Sequence, residues 1–239
     1  MRIEIKLLPL KDNAILPFNY NYEVYTQIVE KVSSIEPGLT KMLSSPHGYW
    51  TFSRIIVRKR RVLPEKGIEI LSDDVSLYVS SYNEEIIRAI AEAVEKSPEF
   101  KIGDVTFLVG DIKAIRVKDI GRENMFSTLS PIVVRTVKFE NGKLRHWDLY
   151  PHDDLFMDRL RKVMFLRYNE IMGHLPEDKE FKIEVLKFKP TRLMVGDSYI
   201  RGSLMVFRYI GSEEIARFGY ENGFGEKTRF GFGMVKLID

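Results

Sequence analysis

Asn83-Glu84-Glu85-Ile86-Ile87-Arg88-Ala89-Ile90-Ala91-Glu92-Ala93-Val94-Glu95-Lys96-Ser97-Pro98 is the stretch on which the fold turns. Asn83 stands ahead of two acids suited to the first turn of a helix, where they meet the positive end of its dipole. Ile86, Ile90 and Val94 follow at i, i+4 and i+8, and Pro98 ends the pattern. Upstream, Gly67 to Ser80 reads as one or two strands turning at Asp73-Asp74, and Trp50 to Val57 reads as another. Farther back, Asn21 is placed to cap a helix on which Tyr25, Ile28, Val29 and Val32 recur until Pro37-Gly38. Before it, Ile3, Ile5 and Leu7 alternate with Arg2, Glu4 and Lys6, the period of a half-buried first strand. Downstream, a strand from about Asp104 to Val117 closes the unit. The order is β-α-β-β-α-β, the ferredoxin-like arrangement.

The same order restarts near Ser127. Pro131-Ile132-Val133-Val134 reads as a new first strand, and Pro151 to Met172 as a long helix stopped by Gly173. Phe181, Ile183 and Val185 alternate, Leu204 to Tyr209 form a buried run, and Ser212-Glu213-Glu214 opens a short helix ending at Gly219. Gly233 to Ile238 is the final strand. The expected class is α+β, with two tandem ferredoxin-like (βαββαβ) domains facing a common cleft, residues 1–122 and 123–239.

Composition narrows the chemistry. A chain of 239 residues with 44% hydrophobic content can bury a full core. The balance of 37 Lys+Arg against 34 Asp+Glu leaves only +3, so a polyanion surface must come from local clustering. Zero cysteines exclude disulfides, thiolate metal sites and cysteine nucleophiles. The four histidines lack the i, i+4 partner of a helical metal site, and no metal or other cofactor is expected. The charged opening strand is no signal peptide and no run reaches about 18 apolar residues, so the expectation is a cytoplasmic protein without membrane contact.

Residues 219–233, Gly-Tyr-Glu-Asn-Gly-Phe-Gly-Glu-Lys-Thr-Arg-Phe-Gly-Phe-Gly, set five glycines around Lys227 and Arg229. Glycine permits positive φ and close backbone approach, so such a loop suits phosphate oxygens, with the two cations supplying charge. The loop follows a helix and opens a strand, unlike a Rossmann turn, and Glu226 between Gly225 and Lys227 breaks a Walker pattern. A tight β-turn whose glycines only permit bends is the plainer reading.

The spacing Gly223-x-Gly225, five residues, then Gly231-x-Gly233 resembles the C-terminal loop of the CRISPR-associated RAMP proteins that process precursor CRISPR RNA by cutting within its repeats. The resemblance also takes in the opening strand Arg2 to Pro9, Pro17-Phe18-Asn19-Tyr20, and Leu129-Ser130-Pro131-Ile132. It implies metal-independent cleavage in which a ribose 2′-hydroxyl attacks the adjacent phosphate, leaving a 2′,3′-cyclic phosphate. That chemistry needs a base, an acid and a cation. The catalytic candidates the resemblance implies are His47, in the loop after the first helix, and Tyr25. The set departs from the family pattern, with Val29-Glu30 where a tyrosine is expected and no lysine from Gly48 to Ser53. The implied function is therefore binding of single-stranded CRISPR repeat RNA with cleavage weak or lost; the alternative is an active endoribonuclease.

The candidate RNA contacts are Arg54, the run Arg58-Lys59-Arg60-Arg61, Lys187, Lys189 and Arg192, and the loop residues Gly223, Gly225, Lys227, Arg229, Gly231 and Gly233. The run at Arg58 to Arg61 suits equally a solvated strand end that discourages edge pairing. Other CRISPR effector subunits and a homodimer are further partners the sequence leaves open.

Overall fold

The computed structural model describes residues 1–116, 119–140, 142–178 and 180–238. Its first unit runs β1 (Arg2–Pro9), β2 (Ile15–Leu16), α1 (Asn21–Ile35), α2 (Thr40–Leu43), β3 (Trp50–Phe52), β4 (Arg60–Leu63), β5 (Gly67–Ile70), β6 (Val75–Ser81), α3 (Glu84–Lys96), β7 (Glu99–Ile102) and β8 (Val105–Ile115). Five strands form an antiparallel sheet of order β3-β6-β1-β8-β7, and β2-β5-β4 make a small separate sheet. With β7 as an added edge, the first sheet has the ferredoxin-like strand order.

Residue chemistry explains the pairing. Ile3, Ile5 and Leu7 stand opposite Val79, Leu77 and Val75, so one face of the sheet is apolar. Helix α3 covers that face with Ile86, Ile87, Ile90 and Val94, and α1 with Val24, Ile28 and Val32. The Asn83 side chain accepts the Glu85 N–H at 2.8 Å, the bond of an N-cap. Asn21 behaves differently from expectation. It is the first residue of α1, Tyr20 holds the cap position without a side-chain bond, and the Asn21 amide donates to Phe230 O and Gly231 O at 2.7 and 3.3 Å.

The second unit runs β9 (Glu123–Thr128), β10 (Arg135–Glu140), β11 (Lys143–Asp148), α4 (Phe156–Met172), β12 (Lys182–Val195), β13 (Ser198–Ile210), α5 (Glu213–Asn222) and β14 (Val235–Leu237). Its main sheet has the order β12-β13-β9-β14, the same permutation as the first unit, while β10 and β11 form a hairpin of their own. Three expectations are corrected. The first strand is β9; Pro131, without an N–H to donate, interrupts the ladder, and the buried Ile132 and Val133 instead bridge Ser203 and Gly225. Helix α4 begins at Phe156 because Tyr150 N–H is held in a turn by Asp153 Oδ2 at 2.7 Å. Helix α5 continues through Gly219 to Asn222, where Gly219 makes room for the Phe224 ring and Gly223, not Gly219, takes the C-cap position.

The polar face of the first sheet meets the C-terminal segment of the second unit. Buried Arg2 donates to Val235 O at 2.9 Å and Tyr220 O at 2.6 Å, and Thr51 Oγ1 donates to Phe232 O at 2.8 Å. Arg54 N–H reaches Leu129 O at 3.1 Å. Among the described residues no helix is long and apolar enough to cross a membrane.

Candidate nucleic-acid interface

The glycine-rich loop is part of the core. Phe224 and Phe232 are fully buried, and Phe230 packs its edge on Tyr25 at 4.7 Å, so these three aromatics seal the loop to the two units. The N–H groups of Phe224, Glu226, Gly231 and Gly233 donate to Gly233, Val133, Thr228 and Pro131 carbonyls at 2.8–2.9 Å. Those amides are therefore not free to bind a phosphate. Gly225 has φ +82°, and a Cβ there would lie 2.3 Å from Val133 O, so the close strand-to-loop bridge at this point requires glycine.

Arg167 organises the loop, and sequence reasoning missed it. Its Nε donates to His47 O at 2.7 Å, Nη1 to Gly223 O and Gly225 O at 2.8 and 2.7 Å, and Nη2 to Gly48 O, Asn222 O and Thr228 Oγ1 at 2.9, 2.8 and 3.2 Å. One guanidinium thus ties the His47 loop to the glycine-rich loop. The signal was present: Leu160, Met164, Arg167 and Tyr168 share the buried stripe of α4, and an arginine there demands acceptors. Burial pulls its pKa down to about 9, against the pull of Glu226, which leaves it charged at neutral pH.

Beside Arg167 lies a cavity of about 300 Å³ between the units, lined by Pro46, His47, Arg159, Val163, Leu166, Glu226, Lys227 and Arg229. His47 and the pair Lys227 and Arg229, which sequence reasoning placed in separate loops, come together here. His47 Nε2 stands 3.6 Å from Glu170 Oε1. Arg229 donates to Ser44 O and lies 4.7 Å over the Phe230 ring, so it is partly committed. Lys227 is half-buried in left-handed backbone at φ +62°. Burial first, then Arg135 and Arg229, pull its ammonium down, while burial pushes the Glu226 carboxyl up. Tyr25 does not line the cavity; it packs between Phe230 and Trp50.

The remaining basic candidates do not line this cavity. Arg54 is half-buried, and its charge opposes the burial that raises the Tyr20 phenol. Arg58, Lys59, Arg60 and Arg61 are exposed. Arg61 pairs with Glu69 at 3.4 Å and Arg60 donates to Val57 O at 2.8 Å on the outer strand of the small sheet, whereas Arg58 lies near the Tyr78 phenol, which burial first and then Glu4 raise and Arg58 opposes. Lys187 and Lys189 stand opposite Val206 and Leu204 on the sheet face away from α4. The Lys187 row continues through Val206 and Ser127 to exposed Lys236, a cation not anticipated. Arg192 stands opposite Arg201 on the other face, so Lys187, Lys189 and Arg192 do not form one track.

Comparison with known proteins fits this architecture. The family described as CRISPR associated protein Cas6, C-terminal, matches residues 115–237, and CRISPR-associated protein Cas6, N-terminal, matches residues 15–113. The chain is 83% identical to a CRISPR-associated endoribonuclease-like protein, Cas6nc, of Pyrococcus horikoshii, over 100% of both. It is 35% identical to the CRISPR-associated endoribonuclease Cas6 1 of Methanocaldococcus jannaschii, covering 100% of this chain and 93% of that protein. A solved structure of a RAMP protein binding different RNA substrates superposes with a TM-score of 0.97 at 83% identity, over 100% of each chain.

Proposed function

Because this chain belongs to the Cas6 family of CRISPR-associated proteins, we propose that it binds single-stranded CRISPR repeat RNA between its two units and cuts it weakly or not at all. The observation that carries this reading is the cavity where Lys227, Arg229 and Arg159 surround His47 while Tyr25 is packed elsewhere. Cations for a phosphate are in place. Cyclising cleavage also needs a base and an acid on opposite sides of the scissile bond, and His47 is the one imidazole lining the cavity.

The alternative, an active metal-independent endoribonuclease, is favoured by one specific feature: Glu226 is raised and Lys227 lowered, both toward neutrality, beside His47. Repeat RNA incubated with the protein in EDTA distinguishes the two. A shifted band with intact RNA is expected; a discrete product ending in a 2′,3′-cyclic phosphate decides for the nuclease.

Arg54, Arg58, Lys59, Lys187 and Lys189 extend the contact along the open sheet faces, with Arg60 and Arg61 at its margin, while Gly223, Gly225, Gly231 and Gly233 serve by shaping the loop. The same reading puts the protein in the cytoplasm, divides it at residues 1–122 and 123–239, needs no metal for binding, and leaves surface for other effector subunits or a second copy.

Three charge changes test the cavity. Lys227→Ala should weaken repeat-RNA binding about tenfold and lower the log–log salt slope by about 0.7, the share of one phosphate on a single strand. Arg229→Ala should cost less affinity and more stability, because Arg229 is bonded to Ser44 and stacked on Phe230. Glu226→Gln keeps an acceptor for the Arg135 N–H, now 3.2 Å away, and removes a negative charge. Filter binding at low salt should show tighter RNA retention, and a loss would contradict a phosphate in this cavity.

A further inference from the structure

Strands β12 and β13 outrun their sheet. β9 pairs only with Val206–Ile210 of β13 and Ile132 bridges Ser203, so Thr191–Val195 and Ser198–Gly202 continue as a two-stranded ribbon. The ribbon is anchored, since Leu193, Val195 and Ile200 are buried against Val133 and Phe232, and Met194 N–H donates to Asn19 Oδ1 at 2.9 Å.

Its other face pairs Arg192 with Arg201 and Met194 with Tyr199. Like charges directly opposite on neighbouring strands repel, a cost that a purely structural ribbon avoids by placing an acid at one position. Here Arg192 lies 4.4 Å over the Tyr199 ring instead, and Tyr199 remains 58% exposed, which leaves the far side of its ring free. The patch is also continuous with the cavity wall. Arg201 N–H donates to Asp148 Oδ2 at 3.0 Å, Asp148 Oδ1 accepts from Arg135 Nε at 2.7 Å, and Arg135 N–H reaches Glu226, the neighbour of Lys227, at 3.2 Å.

We propose that this ribbon face is a second RNA contact, in which Arg192 and Arg201 hold adjacent backbone phosphates and a base stacks on the free side of Tyr199. The inference rests on the RNA-binding reading above. Two guanidiniums beside an open aromatic face match a phosphate-plus-base unit, and a strand leaving the cavity past Arg135 arrives at Arg201. Single-stranded RNA supplies both groups at this spacing along one chain.

The test is anisotropy binding of the full protein to a whole repeat RNA and to repeats trimmed from either end, over a salt series. Arg192→Ala with Arg201→Ala should lower affinity for the whole repeat about tenfold and the salt slope by about 1.4. Binding of the RNA trimmed at the ribbon end should be unaffected. Tyr199→Ala should lower affinity about five- to fiftyfold with the slope unchanged, because stacking releases no counterions, and Tyr199→Phe should restore it. All of these side chains are exposed, so melting curves should match the unmodified protein. Wild-type affinity and slope in the ribbon variants, with Lys227→Ala still impaired, overturn the ribbon contact and leave the cavity reading standing. No RNA retention by the unmodified protein overturns both.

Discussion

Arg167→Ala should destabilise the protein by at least about 4 kcal/mol, a shift of roughly 10 °C in melting temperature for a chain of this size. The guanidinium meets six acceptors, and all but Thr228 Oγ1 are backbone carbonyls that no rotamer change can redirect. Truncation leaves those groups facing each other in a buried space, and each unsatisfied carbonyl costs about 1–3 kcal/mol. Water entering the void recovers part of this, which is why the expected loss is well below the sum. Arg167→Lys should recover only a fraction, since an ammonium offers three donors and lacks the planar fork that spans two loops. RNA affinity should fall with stability, because the same bonds hold His47 and Lys227 on facing walls of the cavity. Melting curves and a gel shift on both variants check this; a lysine variant as stable as the parent would show that charge alone, without the fork, joins the loops.

Much of the architecture was legible because local signals agreed. Asn83 and the Ile86, Ile90, Val94 stripe specified α3 down to its cap, and the alternation in Arg2–Pro9 specified which face of β1 meets the helices, but not that Arg2 and Glu4 on the opposite face are buried as well. The second unit was harder for identifiable reasons. Ile132, Val133 and Val134 are all fully buried without sitting in the sheet, and a short apolar run looks the same in either setting. Which face each basic residue of β12 takes is set by a β-bulge between Val185 and Lys187. Strict alternation would put Lys187 and Lys189 on the core face with Ile183 and Val185, and Arg192 on the open face. The extra residue exchanges the two sets, and nothing in the spacing announces it. The candidate site was half legible: the glycine spacing pointed to the loop whose Lys227 and Arg229 line the cavity with His47, but the buried arginine that ties this loop to the His47 loop lies some sixty residues earlier on a helix (Arg167 to Lys227).

Gly233→Ala should be nearly as damaging as loss of Arg167, for an unrelated reason. Gly233 has φ +77°, a conformation that costs an L side chain about 1–2 kcal/mol. A Cβ at this position would also lie 2.1 Å from Phe224 O and 2.9 Å from Phe224 N. These are main-chain atoms held by the Phe224 N–H bond to Gly233 O at 2.9 Å, so no side chain can swing away and the two segments must part. Separation unseats Phe224 and Phe232, each fully buried and each packed in a different core cluster. Strain, clash and lost packing together should exceed about 3 kcal/mol, and the loop that presents Lys227 should lose its fixed shape. Gly38→Ala provides the contrast, because its Cβ would meet open space and the change should be neutral or stabilising by about 0.4–1 kcal/mol. Thermal melts of the two variants should therefore diverge by about 8 °C or more. Equal melting temperatures would mean that the loop tolerates a side chain at Gly233, and its glycine spacing would then have to answer to RNA contact instead of to folding.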